Sequence, residues 1–234
     1  MIDDHGITRR RALGWLGAGP IALLPFARTH AADGGAPVDC VLTPAQTEGP
    51  YFVDERLNRS DIRSDPTTGV VKSGVPLELD LHVHAVAARA CAPIANALVD
   101  IWHCDAAGVY SDVDQARGRK FLRGYQVSDT AGRVRFVTIF PGWYPGRTAH
   151  IHFKVRSDGV NDRGYELTSQ LYFDDAVSER VYAYPAYGGA ARQARRTRNE
   201  ADFVYRSGGK SLMLPLVARD GGYAARFDIG VRVG

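Results

Sequence analysis

The chain has 234 residues, of which 45% are hydrophobic and 24% charged, and its formal net charge is +3. That composition supports a substantial core in one domain or a small pair. No internal run reaches the roughly 18 apolar residues of a membrane-spanning helix, which argues against an integral helical membrane protein.

In chain order, the first segment is a leader. Thr8-Arg9-Arg10-Arg11-Ala12-Leu13 forms a basic head, Leu13 to Phe26 an apolar middle, and Thr29-His30-Ala31-Ala32 a small-residue exit. This pattern predicts a signal peptide over residues 1–31, and its paired arginines point to the twin-arginine route and an exported (periplasmic or secreted) protein. Without the leader, 25 Lys and Arg face 24 Asp and Glu. Most of the basicity therefore leaves with it, and so does the case for a nucleic-acid surface. No stable membrane span is expected after processing. Residues 32–39 read as a polar, Gly-rich linker. Three cysteines remain, Cys40, Cys91 and Cys104. Export permits one disulfide and leaves one thiol over, and spacing does not say which.

Residues 40–234 form the expected domain. Cys40 to Phe52 is bracketed by prolines and reads as an extended arm, and residues 54–75 as charged loop. Pro76 to Val86 alternates Leu77, Leu79, Leu81 and Val83 with Glu78, Asp80, His82 and His84, a half-buried strand. Residues 92–96 read as a turn. Strands follow at Ala97–Cys104, Phe121–Ser128, Val134–Phe140, from His150, and at Thr168–Phe173, with Asp129-Thr130-Ala131-Gly132 as a hairpin turn. Residues 175–184 suit a short helix, and Arg192 to Arg198 a solvated basic loop or fraying helix. Ser211–Ala218 and Gly222–Val233 read as closing strands. Many short strands without strand–helix alternation predict an all-β, antiparallel β-sandwich (immunoglobulin- or prealbumin-like) with long loops and little helix.

Chemistry concentrates in Pro141-Gly142-Trp143-Tyr144-Pro145-Gly146-Arg147-Thr148-Ala149-His150-Ile151-His152. Residues two apart on a strand share a face, about 6.6–7 Å apart, so His150 and His152 can each give a ring nitrogen to one metal. Spacing alone decides nothing, because His82 and His84 repeat it. Tyr144 sharpens the signal. A phenol of ordinary pKa about 10 ligates at neutral pH only beside a strongly acidic cation such as Fe(III). Two tyrosinates, two neutral imidazoles and a hydroxide would balance that charge, and Tyr110 is the candidate second phenolate.

Thr43-Pro44-Ala45-Gln46-Thr47-Glu48-Gly49-Pro50-Tyr51-Phe52, Val99-Asp100-Ile101-Trp102 through Ala107-Gly108-Val109-Tyr110, Pro141 to Pro145, and Arg147 to His152 together resemble the intradiol ring-cleavage dioxygenases, catechol and protocatechuate 3,4-dioxygenases among them. The resemblance runs from about Cys40 to Asp175, and residues 176–234 add little to it. It implies non-haem Fe(III) held by Tyr110, Tyr144, His150 and His152. It also implies that Arg147 and Gln170 line the pocket of a small aromatic diol, which O2 opens to a cis,cis-muconate-type diacid. By the same resemblance Tyr144 acts as base, and Arg147 stabilises the anionic ring. One departure bears on the substrate: only Pro145 and Gly146 separate Tyr144 from Arg147, fewer than in protocatechuate enzymes. His82 and His84 match no ligand of the family and are left to structure.

Two other classes stay open. A secreted β-sandwich binding module would hold no iron. Another metalloenzyme, with Zn or Fe(II), would need a carboxylate beside His150 and His152, and Asp158 is the nearest in sequence. A homo-oligomer is compatible with the sequence.

Overall fold

Alternation decides the longest strand. In the computed structural model β1 (Pro76–Ala87) buries Leu77, Leu79, Leu81 and Val83 on one face and turns Glu78, Asp80, His82 and His84 to the other. Residues 41–87, 90–157, 164–194 and 196–233 are described, all within one unit, Pro37–Gly234. The predicted leader, the linker, Cys40 and Asp158 lie outside them.

The other strands are β2 (Ala90–Pro93), β3 (Leu98–Trp102), β4 (Arg123–Val127), β5 (Arg133–Ile139), β6 (His150–Arg156), β7 (Glu166–Tyr172), β8 (Leu216–Arg219) and β9 (Gly222–Val231). They make two sheets. One runs β4-β3-β6-β7; the other runs β2-β1-β9-β8, with β5 also paired to β1. Leu79, Leu81, Phe136 and Ile229 from the second sheet join Val99, Ile101, Ile151, Phe153 and Leu171 from the first in one core cluster, which makes the molecule a sandwich. Little helix is present: α1 (Asp175–Tyr182), α2 (Gly189–Gln193) and α3 (Phe203–Arg206), with short 3-10 turns. Among the described residues no helix is long and apolar enough to cross a membrane.

The fold class is the one expected from sequence, and four local expectations are corrected. β1 and β9 pair in parallel, with Leu81 opposite Phe227, whereas the other strand pairs are antiparallel. The stretch read as a turn at 92–96 begins as β2, paired to β1, and turns only at residues 95–96. The strand expected over Ser211–Ala218 is shorter and later. Gly209–Leu212 is a 3-10 turn whose Leu212 is buried, and pairing begins at Leu216. The basic run 192–198 is not a free solvated loop. Arg192 donates to the carbonyls of Ala106, Ala107 and Trp143 at 2.7–2.9 Å, and the Arg196 side chain, 3% exposed, pairs with Asp175 and Glu179.

The β4-β3-β6-β7 sheet carries two different faces. Ile151 and Phe153 of β6 point into the sandwich core, so His150, His152 and Lys154 point outward. They are nonetheless buried. The arm covers them: Gln46 N–H bonds Thr168 O along the edge of β7, and a Cβ on Gly49 would meet His152 Cε1 at 3.6 Å. Phe52 packs tilted against Trp102, ring centroids 4.8 Å apart.

Candidate metal centre and active site

A tight turn sets the first half of the site. Proline at the second position of a turn and a positive-φ glycine at the third are what a type II turn requires. Tyr144-Pro145-Gly146-Arg147 has both, with Gly146 at φ +85° and Arg147 N–H bonding Tyr144 O at 3.1 Å. The turn sets Tyr144 and Arg147 side by side, with Arg147 Nη1 3.4 Å from the Tyr144 hydroxyl. Strand β6 starts three residues later, and its register puts His152 opposite Trp102 of β3 and Gln170 of β7, and His150 opposite Tyr172.

Interlocked loops bring in the second phenol. A Cβ on Gly142 would fall 2.3 Å from Asp105 O, and one on Gly108 2.4 Å from Trp143 O. No side chain fits at either position, so the loop before Tyr110 and the loop before Tyr144 lie directly against each other. Asp105 rigidifies the first loop by accepting from Ala107 N and Val109 N, both at 2.9 Å. Tyr51 of the arm then stacks on Tyr110 at 4.3 Å and meets Tyr144 edge-on at 5.9 Å.

All four predicted ligands converge. His150 Nε2 lies 3.2 Å from the Tyr110 hydroxyl, 3.4 Å from the Tyr144 hydroxyl and 3.1 Å from His152 Nε2. His150 Nδ1 is 2.7 Å from Thr148 O. A carbonyl only accepts, so Nδ1 carries the proton and Nε2 presents its lone pair to the cluster. Trp102 lies flat on the His152 ring at 4.9 Å and His152 Nδ1 has no hydrogen-bond partner.

Burial controls the electrostatics. Burial first, then the Arg147 charge, hold the His150 imidazole down at about 3. Burial and then His150 put His152 well below its ordinary value. Both rings are therefore neutral at pH 7. Burial pushes Tyr110 well up and Tyr144 up to about 12, although the Arg147 charge opposes both rises. By itself the protein keeps both phenols protonated; only a strongly acidic cation would make them phenolates. Two phenols and two neutral imidazoles facing one point fit a hard trivalent cation of the Fe(III) type. Among the described residues no Asp, Glu or Cys joins His150 and His152 in a group of three; Asp158, named for the zinc or Fe(II) alternative, lies outside them.

Arg147 is held from behind by the predicted Gln170 and by Asp202, which the sequence reading missed. Its Nε donates to Asp202 Oδ2 at 2.9 Å and its Nη2 to Gln170 Oε1. Burial opposes its charge, but the nearby Tyr144 and Asp202 leave its pKa raised overall. Asp202 is fully buried. Its Oδ2 also accepts from Thr148 N at 2.9 Å, and its Oδ1 caps α3 through Val204 N and Tyr205 N. Gln170, expected to line the pocket, is fully buried behind Arg147 and donates to Thr47 O at 2.8 Å. The expectation that residues 176–234 add little is thus corrected: Asp202 and Asn199, which accepts from Thr148 Oγ1 at 2.7 Å, fix the start of β6. The one signal available was Asp202 just before Phe203-Val204-Tyr205, a helix N-cap pattern. Arg123, also missed, is buried and ties the arm to the Tyr110 loop, donating to Ser111 Oγ at 2.7 Å and Tyr51 O at 3.3 Å.

Two buried groups near the cluster are structural. His103 is buried and satisfied, with Nδ1 on Cys104 O and Nε2 on Thr138 Oγ1. Cys104 is a free buried thiol whose pKa burial pushes up to about 12, and Cys91 is disulfide-bonded. A cavity of about 110 Å³ opens beside the cluster, lined by Tyr51, Gly108, Val109, Tyr110 and Val113. A larger one, about 400 Å³, lies against β1, β5 and β9 and touches none of the four ligand candidates.

Comparison with known proteins gives the family. The family described as Dioxygenase matches residues 47–184. The protocatechuate 3,4-dioxygenase beta chain of Burkholderia cepacia is 36% identical over 160 residues, covering 62% of this chain and 65% of the relative. An intradiol ring-cleavage dioxygenase from Tetranychus urticae superposes with a TM-score of 0.71 at 31% identity, covering 82% of this chain and 95% of that one. A dioxygenase domain from Streptomyces sp. SirexAA-E gives a TM-score of 0.60 at 29% identity, covering 83% and 100%. The chain belongs to the intradiol ring-cleavage dioxygenase family, whose members use non-haem iron. It spans 65% and 36% of the length of the first two curated relatives.

Proposed function

We propose that the protein is an iron-dependent intradiol dioxygenase that opens a small catechol-type ring with O2 to a cis,cis-muconate-type diacid. The observation that carries this is the convergence of Tyr110, Tyr144 and His152 on His150 Nε2 within 3.1–3.4 Å. Tyr110, Tyr144, His150 and His152 would hold the iron. Bound there as Fe(III), it supplies Lewis acidity toward the two oxygens of the catechol.

The chain's own residues do the rest. Tyr144 is the less buried of the two phenols and hydrogen-bonds Arg147, so it is the phenol placed to take up a proton from the incoming diol. Arg147, clamped by Asp202 and Gln170, offers a fixed positive charge to an anionic ring. Tyr51 and the arm shield the cluster from water, and the cavity beside Tyr51 and Tyr110 supports a small ring as substrate.

An export reading accompanies this. We infer that the Arg9-Arg10-Arg11 leader directs a folded, metal-loaded protein through the twin-arginine route. N-terminal sequencing of the protein recovered outside the cytoplasm should begin near Ala32; an intact Met1 there would overturn the reading.

The deciding experiment is a visible absorption spectrum with metal analysis, before and after catechol is added without oxygen. A broad phenolate-to-iron band that shifts with catechol is expected, followed by ring-opened diacid once air is admitted. A colourless protein with stoichiometric zinc, or one that rejects iron on reconstitution, would overturn the proposal.

A further inference from the structure

Strand β1 carries a second His-x-His that the catalytic reading does not use. His82 and His84 project from the outer face of the other sheet, with ring centroids 6.4 Å apart and planes inclined by 20°. The parallel pairing of β1 with β9 sets Asp228 directly opposite His82 and Gly230 opposite His84. His84 Nε2 lies 3.3 Å from Asp228 Oδ1, and one ligand atom from each of His82, His84 and Asp228 can be chosen so that all lie within 4.8 Å of one another. His82 Nε2 is buried from water and makes no hydrogen bond. Asp80 Oδ1 stands 3.2 Å from it but off line for a bond, and that carboxylate is engaged by Arg133. A buried, unpartnered imidazole nitrogen costs free energy that a ligand would recover.

We propose that His82, His84 and Asp228 form a second, non-catalytic site for a borderline divalent cation of the Zn²⁺ type. Two imidazoles and one carboxylate with open positions for water suit such an ion. Zinc at about 2.0–2.2 Å from each ligand brings ligand atoms to roughly 3.3 Å apart, so these side chains draw inward on binding. The movement is available to Asp228, whose side chain is 35% exposed and otherwise pairs with Arg226, itself 42% exposed. On binding, Arg226 swings to solvent. The site would tie the first core strand to the last. It would also lie beside the start of the arm, because Thr43 N–H bonds Gly230 O and Gly230 N–H bonds Thr43 Oγ1, both at 2.9 Å. Its ligands come from the sheet opposite to β6, and the proposal does not depend on the catalytic reading.

The test is Zn²⁺ titration by calorimetry of the full chain with its catalytic cluster already loaded with iron, alongside His82→Gln and Asp228→Asn. One zinc per chain is expected, with affinity falling at least tenfold in each variant while iron content and visible spectrum stay as in the wild type. Zinc should also raise the melting temperature of the wild type and not of the variants. No binding up to millimolar zinc, or binding that both variants retain, would overturn the site. Zinc uptake matched by iron loss would place the ion in the catalytic cluster and overturn it equally.

Discussion

Arg147 and Asp202 show how a single charge is made usable inside a buried site. Arg147, 9% exposed, survives there because Asp202 holds its Nε and Gln170 its Nη2, leaving Nη1 toward Tyr144. Arg147→Ala should lower kcat/KM by about 10²–10³-fold, the usual scale for losing one donor aimed at a developing anion; a loss under threefold in steady-state assays would reduce Arg147 to a structural role. Asp202→Asn acts through Arg147 and through packing. It leaves a buried guanidinium without its counter-charge, a loss of about 3–5 kcal/mol where nothing compensates. A lower melting temperature is expected, together with a fall in kcat/KM on the order of 10²-fold from misplacement of Arg147. Wild-type turnover in a destabilised Asp202→Asn would separate the two roles and remove Asp202 from the positioning of Arg147. The four ligand candidates were legible because short motifs carry them. Asp202 was not, since it reaches Arg147 across 55 residues of sequence and a lone aspartate before an apolar run says only that a helix begins.

At the scale of elements, the site depends on two loops that touch through glycine. Gly142→Ala would drive a methyl into Asp105 O at 2.3 Å and Ala106 O at 2.8 Å, both backbone atoms that cannot turn aside. The loops must part, at a typical overpacking cost of about 1–3 kcal/mol, and Tyr110 and Tyr144 part with them. Gly146→Ala is the control. Its φ is also unfavourable for a side chain, at +85°, but nothing lies within 4 Å of the added methyl, so only the local strain of about 1–2 kcal/mol remains. Thermal melts and iron-band intensities should therefore rank wild type above Gly146→Ala, and Gly146→Ala above Gly142→Ala. Equal band intensity in the two variants would show that the loops do not set the tyrosines. Alternation made β1 and β6 readable, and the hairpin turn at 129–132 marked the start of β5. The parallel partnership of β1 with β9 was not, because pairing direction leaves no mark on a strand's own pattern. The 3-10 turn at Gly209–Leu212 was also hidden, since its buried Leu212 looks like one more strand residue.

For the whole molecule, burial of titratable groups makes stability depend on pH, with two opposing signs. His103 is pushed from its ordinary 6.5 down to about 4 by burial. The unfolded chain therefore takes up that proton first, and stability falls as pH drops from about 6.5 toward 4. Asp100 runs the other way. Burial raises its carboxyl from 3.8 to about 6 against the pull of Arg156. Arg156 Nη2 stands 3.1 Å from Asp100 Oδ2, but off line, so that oxygen has no hydrogen bond. Here the folded state holds the proton more tightly, so stability from this group is complete below about pH 3.8 and is lost as pH rises through 6. Asp100→Asn removes the burial of charge and leaves Arg156 its partner Asp54 at 3.1 Å. Comparing variant and wild type at one pH cancels the histidine contribution, which both share. The melting temperature of Asp100→Asn relative to wild type should then climb between pH 4.5 and 7.5, by the equivalent of about 1–2 kcal/mol once the lost pairing with Arg156 is allowed for. A difference that stays flat or shrinks across that range would mean that Arg156 holds the Asp100 carboxylate more strongly than burial opposes it. The outer face of β3 would then be a stabilising ion pair beneath the arm instead of a strained one.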